Sequence, residues 1–230
     1  MPFWLDLARA GVYNSVMSPT ARTLRILAAT AALLGSAAGW AGNQMYEPMA
    51  ASVRAALHAA VSDAGAPRLM IADTAEAERW LADMSRRLER RIPDANYRRE
   101  LLTTVHYEAT RAGLDPQLVL GLIQVESNFR KYAVSTAGAR GYMQVMPFWT
   151  EVIGTSADNL FHLRTNLRYG CTILRHYLDI EKGDLFRALG RYNGSLGKAH
   201  YPNLVRTAWE RDWSWTNPQL VANITSPPTQ

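Results

Sequence analysis

A glutamate closes the segment Asp115-Pro116-Gln117-Leu118-Val119-Leu120-Gly121-Leu122-Ile123-Gln124-Val125-Glu126-Ser127, which is otherwise apolar on almost every side. The start of a helix is well signalled there, because Asp115 has the chemistry of an N-cap and Pro116 suits the first helical position. Leu118, Leu122 and Val125 then share one stripe, and Val119, Ile123 and Glu126 share the next. Glu126 continues a hydrophobic row and stands at the negative end of the helix dipole. Desolvation and the dipole both disfavour an ionised carboxylate, so the spacing predicts a raised pKa and activity that declines as pH rises. A carboxylic acid still protonated near neutral pH is what a general acid needs. A lone Glu at a helix end is more often half-exposed or one arm of an ion pair. The weight therefore falls on the residues downstream of it.

Other chemistries find little support. The five histidines, His58, His106, His162, His176 and His200, show no metal-ligand spacing, and a lone cysteine makes a thiolate metal site a poor reading. Gly138 and Gly141 are not followed by Gly-Lys-Ser/Thr, and there is no Gly-x-Ser-x-Gly elbow. From Ser127 to Thr150 there is no Asp or Glu, although Arg130, Lys131 and Arg140 are present. Ordinary glycosidases place two carboxylates about the scissile bond. Glu151, Asp158 and Glu108 are the available second acids, and surface roles fit all three better. A one-carboxylate enzyme must take its nucleophile from elsewhere, and the substrate's own N-acetyl group or a hydroxyl is the economical source.

Three motifs then occur in order: Glu126-Ser127, Gly141-Tyr142-Met143-Gln144-Val145-Met146-Pro147, and Arg191-Tyr192-Asn193. In that order they resemble the signatures of soluble-type lytic transglycosylases, over roughly Tyr97 to Trp209, and Asn166-x-x-x-Gly170-x-x-x-Leu174 is similar too. Tyr142 stands where Leu is commoner, and Arg191 where Ala is usual. The resemblance implies a lysozyme-like fold and cleavage of the β-1,4 bond between N-acetylmuramic acid and N-acetylglucosamine in peptidoglycan. It further implies a 1,6-anhydro product made without water, with Glu126 as acid and then base. No metal and no organic cofactor is implied.

Supporting roles follow from side-chain chemistry and position. Ser127 suits a hydrogen bond to Glu126 or to the leaving sugar, or a helix cap. Gln144 both donates and accepts, which suits an acetamido group, the Glu carboxyl or its own loop. Met146 and Met143 are core plugs by default, with one available to line a cleft. Tyr192 offers a hydroxyl, and Asn193 a sugar contact, a Tyr-positioning contact or a turn before Gly194. Tyr142 and Trp149 are the aromatic candidates for stacking on sugar faces, with burial the default for both.

The elements that must position these residues are mainly helical. Ala50 to Ala60 reads as a weakly packed helix broken by Gly65-Ala66-Pro67. A stronger helix runs from Thr74 to Arg91, with Asp73 and Glu76 at capping-box spacing. Trp80, Leu81, Met84 and Leu88 form its apolar face, and Arg86, Arg87, Arg90 and Arg91 its basic one. Further helices are read over Asp94–Ala112, Pro147–Ile153, Arg164–Ile180, Asp184–Tyr192 and from Pro202 to Glu210. Any sheet is confined to two or three short extended segments near residues 130–145. Residues 42–93 read as an N-terminal helical or linker region, 94–215 as the catalytic domain and 216–230 as a fraying tail.

The chain has 230 residues, 48% hydrophobic, with a formal charge of +5. That is enough for one ordinary core, and the excess cations suit an anionic polymer. No run of Lys/Arg with interleaved aromatics argues nucleic acid. Glycan strands of the cell wall are the expected partner, with envelope association and envelope assembly proteins as further possibilities. Cys171 in an apolar helical pattern reads as a buried structural thiol. Arg22 and Arg25 precede an apolar stretch, Ile26 to Ala38, with small residues at Gly39-Trp40-Ala41. That is the pattern of an export signal or N-terminal anchor over residues 1–41, and hence of a periplasmic protein. Two rivals stay open: a goose-type-lysozyme-like muramidase on the same fold, and a non-catalytic wall-binding scaffold of an envelope machine.

Overall fold

The computed structural model describes residues 44–216. The expected export segment and residues 217–230 of the expected tail lie outside the described residues. Among the described residues run eight α-helices: α1 (Ala51–Ser62), α2 (Thr74–Leu88), α3 (Ala95–Arg111), α4 (Pro116–Ser127), α5 (Phe148–Ile153), α6 (Leu163–Ile180), α7 (Leu185–Asn193) and α8 (His200–Thr207). A π-helical turn, Ala208–Trp213, continues α8. The mainly helical, lysozyme-like reading holds. The extended segments reduce to two isolated bridges, Val134 with Arg140 and Arg140 with Val145. No helix among the described residues is long and apolar enough to cross a membrane.

Local signals act where their chemistry predicts. Asp73 accepts from the backbone N–H groups of Ala75 and Glu76, Asp94 from Tyr97, Asp115 from Gln117 and Asp184 from Arg187, so four helices start on aspartate caps. Arg98, only 8% exposed, closes the turn between α2 and α3 by donating to the carbonyls of Ile92 and Pro93. One apolar cluster runs through the described residues. Val61 of α1 and Trp80, Met84 and Leu88 of α2 share it with Leu101, Val105, Leu122, Ile123, Leu167 and Trp213. Cys171 is fully buried in it and burial pushes its thiol up, in keeping with a structural thiol.

Three expectations need correction. The last helix begins at His200, ahead of Pro202, because proline is tolerated in a first turn where its missing N–H costs nothing. Glu108 is not on the surface: it is fully buried and meets Arg168 at 3.1 Å, Arg111 at 3.1 Å and Arg164 at 3.5 Å. A buried carboxylate persists only when such partners compensate its desolvation. The helix read to Arg91 ends at Leu88. Of its basic residues Arg86 and Arg90 are exposed, while Arg87 donates to the carbonyls of Asp212 and Ser214 and Arg91, beyond the helix, to Asn128 Oδ1.

Candidate active site

Helix α4 carries Glu126 as read: Leu118 to Ile123 are all buried, and Glu126 itself is only 4% exposed. Helix α8 and the π-turn pack against it. Gly121 is where the π-turn comes closest, since a Cβ there would lie 2.8 Å from the backbone nitrogen of Trp209. Gln124 fastens the same contact, donating to Asp212 at 2.6 Å and accepting from the Trp213 indole at 2.9 Å. The helix ends on Asn128 (φ 48°) and Phe129 (φ 62°), both left-handed. For a bulky residue such as Phe129 that conformation is uncommon and costs on the order of 1–3 kcal/mol. Its ring is held between Trp213 and the Arg91 guanidinium.

Tyr201, from α8, donates its hydroxyl to Glu126 Oε1 at 2.5 Å. Nothing in the motifs singled it out, because it lies far along the chain and just ahead of a proline that masks the helix start. Burial, and then the nearby Glu126 charge, raise the Tyr201 and Tyr192 phenols well above the ordinary tyrosine range. Both stay protonated, and Tyr201 is a permanent donor beside the carboxyl.

The second signature forms an irregular loop. Gln144 sits at φ 49° and Gly141 at φ 76°, so the chain turns in a way no strand or helix allows. Asn166 of α6, fully buried, supplies the missing partners. Its Oδ1 accepts from Met143 N–H at 2.8 Å, and its Nδ2 donates to the carbonyls of Arg140 at 2.8 Å and Leu160 at 2.9 Å. One turn on, Gly170 admits Met143, whose Sδ would be 2.4 Å from a Cβ. The Asn166-x-x-x-Gly170 spacing therefore has a mechanical cause: both residues face the loop from one side of α6.

The remaining candidates divide. Tyr192 is fully buried and donates to the Met143 carbonyl at 2.7 Å, which places its hydroxyl on the loop backbone. Asn193 is 4% exposed, and Gly194 caps the helix at φ 71°. Ser127 is buried and donates to the Ile123 carbonyl at 3.2 Å, within its own helix. The Gln144 amide donates to the carbonyls of Ala133 at 3.1 Å and Gly141 at 3.0 Å. Met146 is half-buried whereas Met143 is wholly buried. Tyr142 and Trp149 are 1% and 2% exposed, so neither offers a face for stacking, and Tyr142 instead shares a hydrogen bond of 2.8 Å with Tyr97. Of the acids weighed as partners for Glu126, Glu108 is held by its arginines and Asp158 accepts from Tyr169 and Thr155.

Comparison with known proteins falls on this region. Residues 103–208 match the model of the transglycosylase SLT domain family. A transglycosylase of Enterobacteria phage PRD1 is 34% identical over 98 residues, 43% of this chain and 36% of that protein. A membrane-bound lytic murein transglycosylase C of Mannheimia succiniciproducens is 47% identical over 66 residues, 29% of this chain and 17% of that protein. The corresponding Haemophilus influenzae protein is 47% identical over 49 residues, 21% of this chain and 14% of its own. The chain thus spans well under half the length of these relatives. Glu126, Gln144, Tyr192 and Tyr201 all lie inside residues 103–208, the span that matches the transglycosylase SLT domain family.

Proposed function

We propose that the protein is an exported peptidoglycan lytic transglycosylase whose catalytic domain occupies residues 94–215, with Glu126 as its one catalytic acid. The observation that carries this reading is the Glu126–Tyr201 pair, buried where α4 meets α8 inside the matched span. Burial favours the neutral acid, and the hydrogen bond donated by Tyr201 favours the carboxylate. Those opposed influences suit a group that must give up a proton and then take one back.

Glu126 donates its proton to the glycosidic oxygen as the bond to C1 of N-acetylmuramic acid breaks. The sugar's own N-acetyl carbonyl stabilises the cationic C1, which removes the need for a second carboxylate. The Glu126 carboxylate, held by Tyr201, then takes the proton of the C6 hydroxyl as that oxygen bonds to C1. Atoms balance without water: the products are a 1,6-anhydro sugar end and a free hydroxyl on the departing N-acetylglucosamine. Intramolecular attack gains from proximity. The Gln144 amide hydrogens serve loop carbonyls, so its Oε1 is the atom that meets substrate, accepting from a sugar N–H. Ser127 keeps lone pairs for the same purpose, Met146 lines the cleft, Tyr192 holds the loop backbone in place, and Asn193 beside it contacts the sugar or positions Tyr192. The partner is the glycan strand, and the location is the periplasm, with the protein soluble or held at the inner membrane by its N-terminus.

Mass spectrometry of the products from purified sacculi tests bond and mechanism together. Anhydro ends one water lighter support the proposal. Reducing muramic ends would instead assign a muramidase. Glu126→Gln should lower product release at least ~10²-fold, the low end for losing a general acid. An unchanged rate would remove Glu126 as the acid, and no release by the parent protein would leave only the wall-binding scaffold.

A further inference from the structure

Gln44 is 3% exposed, while Met45, Tyr46, Glu47 and Pro48 beside it are all exposed. Residues 44–50 have no regular secondary structure, so neither helix nor ladder holds them. Over residues 44–48 what the protein buries is one carboxamide, and Met49 beyond them is half-buried against the core. Its Nε2 donates to the carbonyl of Gln144 at 3.3 Å, and its Oε1 accepts from the N–H of Met146 at 3.2 Å. One donor and one acceptor on a planar amide is also the complement that the N-acetyl group of an amino sugar carries. Either bond can pass to such a group, the C=O to Met146 N–H or the N–H to the Gln144 carbonyl.

The other fastenings of the segment fall on the same signatures. Tyr46 packs edge-on against Phe148 at 6.0 Å, one residue beyond Pro147. Glu47 accepts from Arg191 at 2.7 and 3.1 Å, and Arg191 stands directly before Tyr192-Asn193, where the resemblance leads one to expect alanine. The same guanidinium also pairs with Glu181, which presents it to Glu47. An exposed ion pair and the neutral hydrogen bonds of one carboxamide, which also meets the Tyr192 side chain, are weak fastenings, so a ligand can displace them.

We infer that the Gln44 carboxamide is an intramolecular stand-in for a sugar N-acetyl group, and that residues 44–50 are a strap glycan must displace to reach the Gln144–Met146 backbone. The inference rests on the glycan-binding reading above. It adds that this chain competes with its own substrate through Gln44 and tethers the competitor through Glu47 and Arg191.

The test is calorimetric binding of the β-1,4-linked trimer of N-acetylglucosamine to the full chain. Gln44→Ala should lower Kd by roughly 2- to 10-fold, the worth of the displaced hydrogen bonds and the strapped population released. Glu47→Ala should act in the same direction and by less. On sacculi the same variants should lower KM and leave kcat as it was. An unchanged or weaker Kd in a folded Gln44→Ala protein, or no binding by any of these proteins, overturns the strap. If Gln44→Ala does not fold, Gln44→Glu, which loses the donor and keeps the size, together with Glu47→Ala decides on the same criterion. The two proposals fail separately. Inert strap variants beside a dead Glu126→Gln protein sink only the strap, and tighter trimer binding without anhydro products sinks only the reaction.

Discussion

The two sides of the candidate site are built by different physics. The Glu126 side is a buried helix with regular backbone hydrogen bonds. It packs mainly through apolar side chains, with polar contacts at Gln124 and Glu126, so its acid is placed by ordinary helix geometry and packing. The Gln144 side has no repeating backbone, and its shape is maintained by side chains of Asn166 and Tyr192 that bond to loop backbone groups. Apolar contact is non-directional and forgives small changes of shape. A buried irregular loop has peptide groups with no partner of their own, so each polar side chain that satisfies them is hard to replace. The lesson is that similar burial on the two sides hides very different tolerance to substitution.

The largest effect should come from swapping near-isosteric side chains on the two sides. Asn166→Leu keeps the bulk but orphans Met143 N–H and the Leu160 carbonyl, and leaves the Arg140 carbonyl only its bond from Val145 N–H, which at about 1–3 kcal/mol per orphan predicts a loss of at least ~2 kcal/mol. Leu122→Met, equally buried on α4, should cost less than about 1.5 kcal/mol. Urea midpoints of the two variants check this. Equal losses would break the distinction between the two sides.

A smaller and more pointed effect is expected at Tyr201. Tyr201→Phe keeps the ring among its neighbours and removes the hydroxyl that donates to Glu126. One neutral donor on a carboxylate is worth roughly 1.5–3 kcal/mol, so kcat on sacculi should fall about 10- to 100-fold. KM should stay near its starting value, because the missing atom acts on the acid and not on the sugar. A fall in stability with kcat intact would reassign Tyr201 to packing alone.

How much of this was legible in the sequence obeys the same division. Aspartate caps, the apolar rows of α2 and α4 and the buried Glu126 came from spacing within single segments, and all are found. The loop was visible as turn composition and as a motif, but not the reason it holds its shape. That reason lies in partners from α6 and α7, far apart in sequence. Tyr201 was hidden for the same reason. Glu108 was misread because its three arginines come from two helices, although Arg164 and Arg168 at i,i+4 spacing on one face of α6 were a usable sign. Gln44 had no sign at all. In a coil without periodicity, nothing separates the one residue that turns inward from its exposed neighbours.

The smallest effect expected lies behind α4, at its N-terminal end. His106 of α3 is 6% exposed, accepts from Met70 N–H through Nδ1 at 3.2 Å and meets Trp80 edge to face. Burial lowers its pKa, and the charge of Asp115, the cap of α4, opposes that only in part. A buried imidazole with a lowered pKa costs nothing while both folded and unfolded chains hold it neutral. As pH falls below the ordinary imidazole value near 6.5, the unfolded chain takes up the proton first, and stability is lost until the folded imidazole titrates as well. One such group limits the slope to about 1.4 kcal/mol per pH unit. Thermal melts between pH 8 and pH 5 should therefore show a decline that sets in below neutrality, and His106→Gln should flatten part of it. His176, likewise lowered by burial, accounts for a remainder. Because His106 adjoins the cap of α4 and not the loop, the acid-induced loss should first loosen the Glu126 side, seen as faster amide exchange in α4 than in α6. Faster exchange in α6 would mean that the polar side is the weaker of the two.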